Sequence, residues 1–280
     1  MKGRSVHFGG GGPKAARTYL FLGLFLIGLV TLLSLLWPFL SPYSPREQAL
    51  DQGNLPPSLA HYWGTDALGR DLFTRVLYGA RLSLGIALGV VLINLALGLP
   101  YGAVAGWYGG RVDMYMMGLV DILHGVPSLL YIIFFLVVLG PGLKGIFLTL
   151  GLAYWLDLAR QVRNQVLSFR EAEFVLAARA LGLGPVSILW REMLPNMVDP
   201  LLVTLVFHIP QAVFLEAFLS YLGLGVTAPR ASLGTLLAEG VANMRSAPRE
   251  LIFPALLVFV IMLGFNFLGE GLRGGGPKAP

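Results

Sequence analysis

Residues Ser83–Gly110 read SLGIALGVVLINLALGLPYGAVAGWYGG. No charge interrupts this run, and it exceeds the roughly 20 apolar residues that carry a helix through about 30 Å of hydrocarbon. Gly98, Gly102, Gly106 and Gly110 recur every four residues, after Gly85 and Gly89. Such a row lets helix backbones approach closely where burial of apolar surface gains little over lipid. Trp107 and Tyr108 suit a membrane interface just before Arg111. Further charge-free runs are Thr18–Pro45, Ile122–Leu143 and Leu251–Gly269. Two more, about Leu143–Gln165 and Asn196–Leu222, carry charges that include Asp157, Asp199 and Glu216. With the third span beginning near Asp113, the pattern predicts an all-α polytopic membrane protein of about six transmembrane helices.

Composition agrees. The chain of 280 residues is 56% hydrophobic and 12% charged, with mean hydropathy +0.73, whereas soluble domains carry about 25% charge. Its 36 glycines follow no G-X-Y period, which excludes collagen. The absence of cysteine excludes disulfides, Cys-ligated zinc, Fe–S clusters and thiol catalysis. A net charge of +5 reflects Lys and Arg in cytoplasmic loops rather than nucleic-acid binding. With the N-terminus inside, 12 of the 20 Lys and Arg fall on the cytoplasmic side, so both termini are expected there. The first run follows Lys2, Arg4, Lys14 and Arg17 as a signal peptide would. It is too long for one, however, and ends in Trp37-Pro38-Phe39, so it reads as an uncleaved span.

No catalytic apparatus is legible. His7, His61, His124 and His208 lack metal-ligand spacing, and no metal site is expected. No Gly-Lys dipeptide occurs, so no phosphate-binding P-loop is present and any ATP chemistry belongs to another subunit. Glu216 and Asp121 either line a polar pathway or make helix–helix hydrogen bonds. His208 lies two helical turns before Glu216 and is the third pathway or seam candidate. Asp157 is expected either to face water or to pair with Arg160, three residues on.

Three segments exceed what a plain bundle needs. Residues 61–75, HYWGTDALGRDLFTR, are expected to form an amphipathic helix on the outer face, capped by Thr65 or Asp66, with Leu68, Leu72, Val76 and Leu77 as its apolar stripe. Residues 162–182, VRNQVLSFREAEFVLAARALG, run on to ILWREMLPN at 188–196. Phe174, Ala178 and Leu181 share a helical face there, and Gly182 fits a left-handed C′ position. Gly184-Pro185 then opens a second short helix ending before Pro195. The third segment is LEAFLSYLGLGV at 215–226.

These segments resemble the permease subunits of ABC importers, whose cytoplasmic signature is E-A-A, a later glycine and then I-x-L-P. Ala177, Ala178, Gly182, Leu194 and Pro195 match it, while Leu176 stands at the signature glutamate and Glu173 lies one turn earlier. GTDALGRD at 64–71, the 215–226 segment and FNFLGEGLR at 265–273 are similar to the peptide/nickel branch, in its C-type permease. The resemblance runs from about Trp37 to Arg273. It implies a type I ABC importer permease fold, with a cytoplasmic N-terminal tail over 1–17, a transmembrane domain over 18–273 and a C-terminal tail over 274–280. An external segment would occupy about 41–80 and a cytoplasmic coupling loop about 166–195.

The implied function is that of a non-catalytic subunit of a binding-protein-dependent importer in a bacterial or archaeal cytoplasmic membrane. It would form half of the pathway for di- or oligopeptides, with nickel chelates, glutathione or other small solutes as alternatives. A self-contained secondary carrier is the rival class, but no repeat relates the two halves. The implied partners are a B-type permease, two cytoplasmic ATPase subunits carrying ATP and Mg, an extracytoplasmic solute-binding protein and the lipid bilayer. This chain itself would bind no cofactor. Phe174, Ala177, Ala178, Arg179, Gly182 and Pro195 would couple to the ATPases. Gly64, Asp66, Gly69, Arg70 and Asp71 would meet an external partner.

Overall fold

The computed structural model describes residues 13–275, so the ends of the two tails, with Lys2, Arg4 and Lys278, lie outside the described residues. The helices are α1 (Pro13–Leu40), α2 (Leu72–Tyr108), α3 (Gly110–Gly125), α4 (Ser128–Leu139), α5 (Leu143–Phe169), α6 (Glu173–Ala180), α7 (Pro185–Ile188), α8 (Leu194–Tyr221), α9 (Leu233–Ala242) and α10 (Arg249–Gly275). Among the described residues the only β pairing is an isolated Thr65–Asp71 bridge. Four helical stretches, α1, α2, α7 through α8, and α10, are long and apolar enough to cross a membrane.

The third expected span is not one helix. α3 and α4 meet at 91°. Pro127 has no N–H to donate, and its ring holds Val126 in extended backbone at φ −91°, ψ 131°. α5 has ample length at 27 residues but is set apart by a polar face.

The glycine row lies where α2 meets α5, the most extensive helix contact of the fold. A Cβ on Gly98 would lie 2.8 Å from the carbonyl oxygen of Trp155, and one on Gly106 would lie 2.8 Å from that of Arg163. One on Gly102 would run into the carbonyl of Ala159. Only glycine permits this approach. Gly110 falls outside the row, because α2 ends at Tyr108 and the chain turns through Gly109 into α3. The largest apolar cluster joins α2, α5, α8, α9 and α10 around Val76, Ala80, Leu150, Val213 and Leu233. A second, around Leu158, Val162, Val175, Ile188 and Met193, ties α6 and α7 to α5 and α8.

The expected surface helix over 61–75 is absent. Asp71, not Thr65 or Asp66, caps the helix, its carboxylate accepting from the Thr74 N–H at 2.8 Å. Leu72, Val76 and Leu77 therefore belong to the first turns of the 37-residue α2 and are buried. Residues 61–71 fold into tight turns beneath that cap.

Candidate functional site

Three regions bear on function: an elbow between α5 and α8, a polar face along α5, and an ion cluster where residues 61–71 meet α9.

The elbow starts as α5 ends at Phe169. In α6, Val175 and Ala178 turn inward against the bundle, while Phe174, Ala177 and Leu181 face outward, Leu181 being 83% exposed. The expected face of Phe174, Ala178 and Leu181 is thus corrected by about one residue, because the i, i+3 pair of Val175 and Ala178 is what the bundle buries. Gly182 has φ +81°. The Leu183 N–H donates to the Ala178 carbonyl at 3.1 Å and the Gly182 N–H to that of Arg179 at 2.9 Å, the two bonds of a Schellman C-cap. Arg179 lies 4.5 Å above the Trp107 ring, joining the elbow to the end of α2. The second elbow helix does not stop before Pro195. It continues through a π-helical turn, Leu189–Met193, into α8, and Pro195, which lacks a donor, sits in the first turn after that widening.

The polar face of α5 carries Asp157, Gln161, Asn164 and Ser168, at spacings of four, three and four residues, so all lie on one side. With Arg160 and Gln165 they line an open cavity of about 380 Å³. A histidine–carboxylate contact and two ion pairs join α5 to the antiparallel α3. The His124 Nε2 lies 2.8 Å from Asp157, Arg160 donates to Asp121 at 2.7 Å, and Arg163 pairs with Asp113. Of the two expectations for Asp157, the exposed one holds; it does not pair with Arg160, and each is drawn to a partner on α3. The side chains of Asp121, Asp157 and Arg160 stay 65%, 55% and 42% exposed. Asp121 is therefore on this face, whereas His208 is buried beside Asn94, 3.4 Å away.

Glu216 is fully buried inside the subunit rather than on a seam. Its carboxylate accepts from Ser83 of α2 at 3.0 Å, Ser220 of α8 at 2.8 Å and Ser232 at 2.6 Å. Ser232 also caps α9 in a reciprocal box with Thr235. One carboxylate thus gathers three helices. Glu216→Gln retains a side-chain carbonyl acceptor and is expected to insert and fold. Glu216→Leu strands the serine hydroxyls and is expected to cost about 2–4 kcal/mol. Thermal unfolding in detergent compares them, and equal melting would deny the carboxylate any structural role.

Most of the residues expected to meet an external partner, within 64–71, are buried in an ion cluster. Asp66 is 2% exposed and accepts from the backbone of Leu68 and Arg70, from the Arg70 Nε at 2.7 Å, and from Arg75. Glu239 of α9 closes the cluster, accepting from Arg75 at 3.0 Å and Arg70 at 3.3 Å. Asp71 is held by His61 at 3.0 Å. Gly64 and Gly69 take positive φ, and a Cβ on Gly69 would run into the carbonyl of Ala49. These five residues fasten the segment internally; exposed positions around them include Leu59, Tyr62 and Ala67. Sequence reasoning passed over Asp113, His124, Arg163, Ser83, Ser232 and Glu239. Complementary polar groups on the neighbouring third and fourth expected spans would have pointed to the first three.

Known proteins share this architecture. The family described as "Binding-protein-dependent transport system inner membrane component" matches residues 98–274, and "N-terminal TM domain of oligopeptide transport permease C" matches 20–57. The dipeptide transport system permease protein DppC of Bacillus subtilis is 42% identical over 252 residues, covering 90% of this chain and 79% of the relative. The oligopeptide permease OppC of the same organism is also 42% identical, covering 90% and 83%. OppC of Haemophilus influenzae is 36% identical, covering 93% and 83%. A chain of the inward-facing MetNI methionine ABC transporter shares the fold at TM-score 0.56 and 19% identity, over 72% of this chain and 97% of that one. The chain belongs to the inner-membrane components of binding-protein-dependent transport systems, as a C-type ABC permease.

Proposed function

We propose that this chain forms half of the translocation pathway of an ATP-driven importer of di- and oligopeptides, opposite a B-type permease. Two cytoplasmic ATPases would dock at the elbow, and a solute-binding protein would deliver cargo to the opposite end. ATP and Mg would be held by the ATPases, and both termini of this chain would lie in the cytoplasm.

The polar face of α5 carries this reading. Asp157 lies about 21 Å along the helix from Leu143, near mid-membrane, and the face continues to Ser168 at the elbow end. Facing lipid, each charged group there would cost about 3 kcal/mol. A water-filled path toward the cytoplasm removes that cost. The peptide cargo is supported by the names of the relatives, which cover most of this chain.

The cysteine-free sequence supplies the test. Asn164→Cys on the polar face is expected to react with a water-soluble thiol reagent more than about tenfold faster than Leu148→Cys on the opposite face, since the thiolate forms only in water. In the assembled importer, peptide cargo should slow the Asn164→Cys reaction. Ser58→Cys should label from the side opposite Ser168→Cys. Equal rates at 164 and 148 would remove α5 from the pathway, and labelling of 58 and 168 from one side would overturn the topology.

A further inference from the structure

We infer that the fold carries a binding site for one anionic phospholipid, with its head in a cationic cavity at the 41–71 end of the bundle and an acyl chain in the adjoining groove between α1 and α2. Arg46, Arg81, Lys144 and Arg230 line a cavity of about 600 Å³ between the first turns of α2 and α5. All four are exposed, and among the described residues none makes a salt bridge; the cluster on Asp66 uses Arg70 and Arg75 instead. Four cations brought together without a carboxylate repel one another until an anion enters.

A second cavity of about 410 Å³ adjoins the first, sharing Arg81 and Gly85 with it. Its walls turn apolar away from Arg81, through Leu88 of α2 to Ile209 of α8 and Phe265 of α10. Ile209 and Phe265 lie in the middle portions of their helices, so the groove descends from the membrane interface toward the bilayer centre. Gly85 forms its floor, where a Cβ would meet no atom within 4 Å. Charge at the interface above an apolar trough matches a phosphate headgroup above its acyl chain. The polar face of α5 points elsewhere: Lys144 and Asp157 are 13 residues apart, which puts them about 140° apart around the helix. The lipid site therefore stands or falls independently of the pathway.

The test uses the full chain, with the subunits that accompany it, in bilayers of equal parts phosphatidylglycerol and phosphatidylcholine. After extraction, native mass spectrometry reads the retained lipid. One phosphatidylglycerol per chain is expected. Arg81→Gln and Lys144→Gln should each weaken its retention about fivefold, and about 25-fold together. Gly85→Leu should also expel it by filling the groove without changing charge. All three substituted positions are exposed, and circular dichroism checks the fold of each variant. Equal retention of the two lipids, or unchanged retention in the Arg81→Gln/Lys144→Gln variant, would overturn the site. Displacement of the lipid by inorganic phosphate alone would reduce it to a free-anion site and likewise overturn the lipid assignment.

Discussion

Gly182→Val is expected to abolish transport while leaving the membrane bundle folded. The residue closes α6 at φ +81°, and the Schellman bonds of Gly182 and Leu183 require that conformation. A Cβ there would meet nothing within 4 Å, so the penalty is one of backbone conformation and not of crowding. It amounts to roughly 1–2 kcal/mol for an ordinary residue and more for a β-branched one. That is small against a helical bundle but large for one turn, so the turn reorients and misplaces Ala177 and Leu181. Membrane yield should match wild type, ATPase co-purification should fall, and peptide uptake in liposomes should vanish. Gly182→Asn, which tolerates the left-handed region, should restore much of the activity. Wild-type uptake by the valine variant would make the elbow a passive connection.

Asp66→Ala should produce the largest loss of stability, about 3–5 kcal/mol. Its side chain and that of Arg75 are each only 3% exposed. Removing the carboxylate leaves the guanidinium buried with only Glu239, which is itself 43% exposed and screened by water. Asp66→Asn keeps acceptors for the Leu68 and Arg70 N–H groups but loses the charge, and should fall between. Glu239→Ala, at the solvated edge of the cluster, should cost far less. Melting in detergent and proteolysis within 41–71 report these effects. An Asp66→Ala variant as stable and as resistant as wild type would show that the cluster merely decorates α2.

What could be read in the sequence follows from how local each cause is. The spans are legible because lipid demands long apolar runs. The Gly182 turn is legible because a single residue meets its requirement. The glycine row is visible at fixed spacing, although its partner along Trp155–Arg163 is not. The break at Val126-Pro127 was available from Pro127 alone, yet the apolar run on either side masks it. Asp66 and Glu239 are far apart in sequence, and nothing local announces their meeting; the same charges read equally well as a solvated face. Glu216 was visible as a carboxylate in an apolar span. Whether it faced a pathway or three serines depended on Ser83 and Ser232, which only folding brings to it.

The close seating of α2 on α5 has a mechanical consequence. α2 spans 37 residues, about 55 Å, nearly twice the hydrocarbon thickness. One end is anchored in the Asp66 cluster and the other abuts the elbow through Trp107 and Arg179. Pro100, the obvious place to bend, is splinted by α5 because Gly98 and Gly102 on either side rest on its backbone. The two helices then behave as one girder. Tilting such a girder by about 5° at the elbow swings the far end through about 5 Å, with no hinge between to absorb the motion.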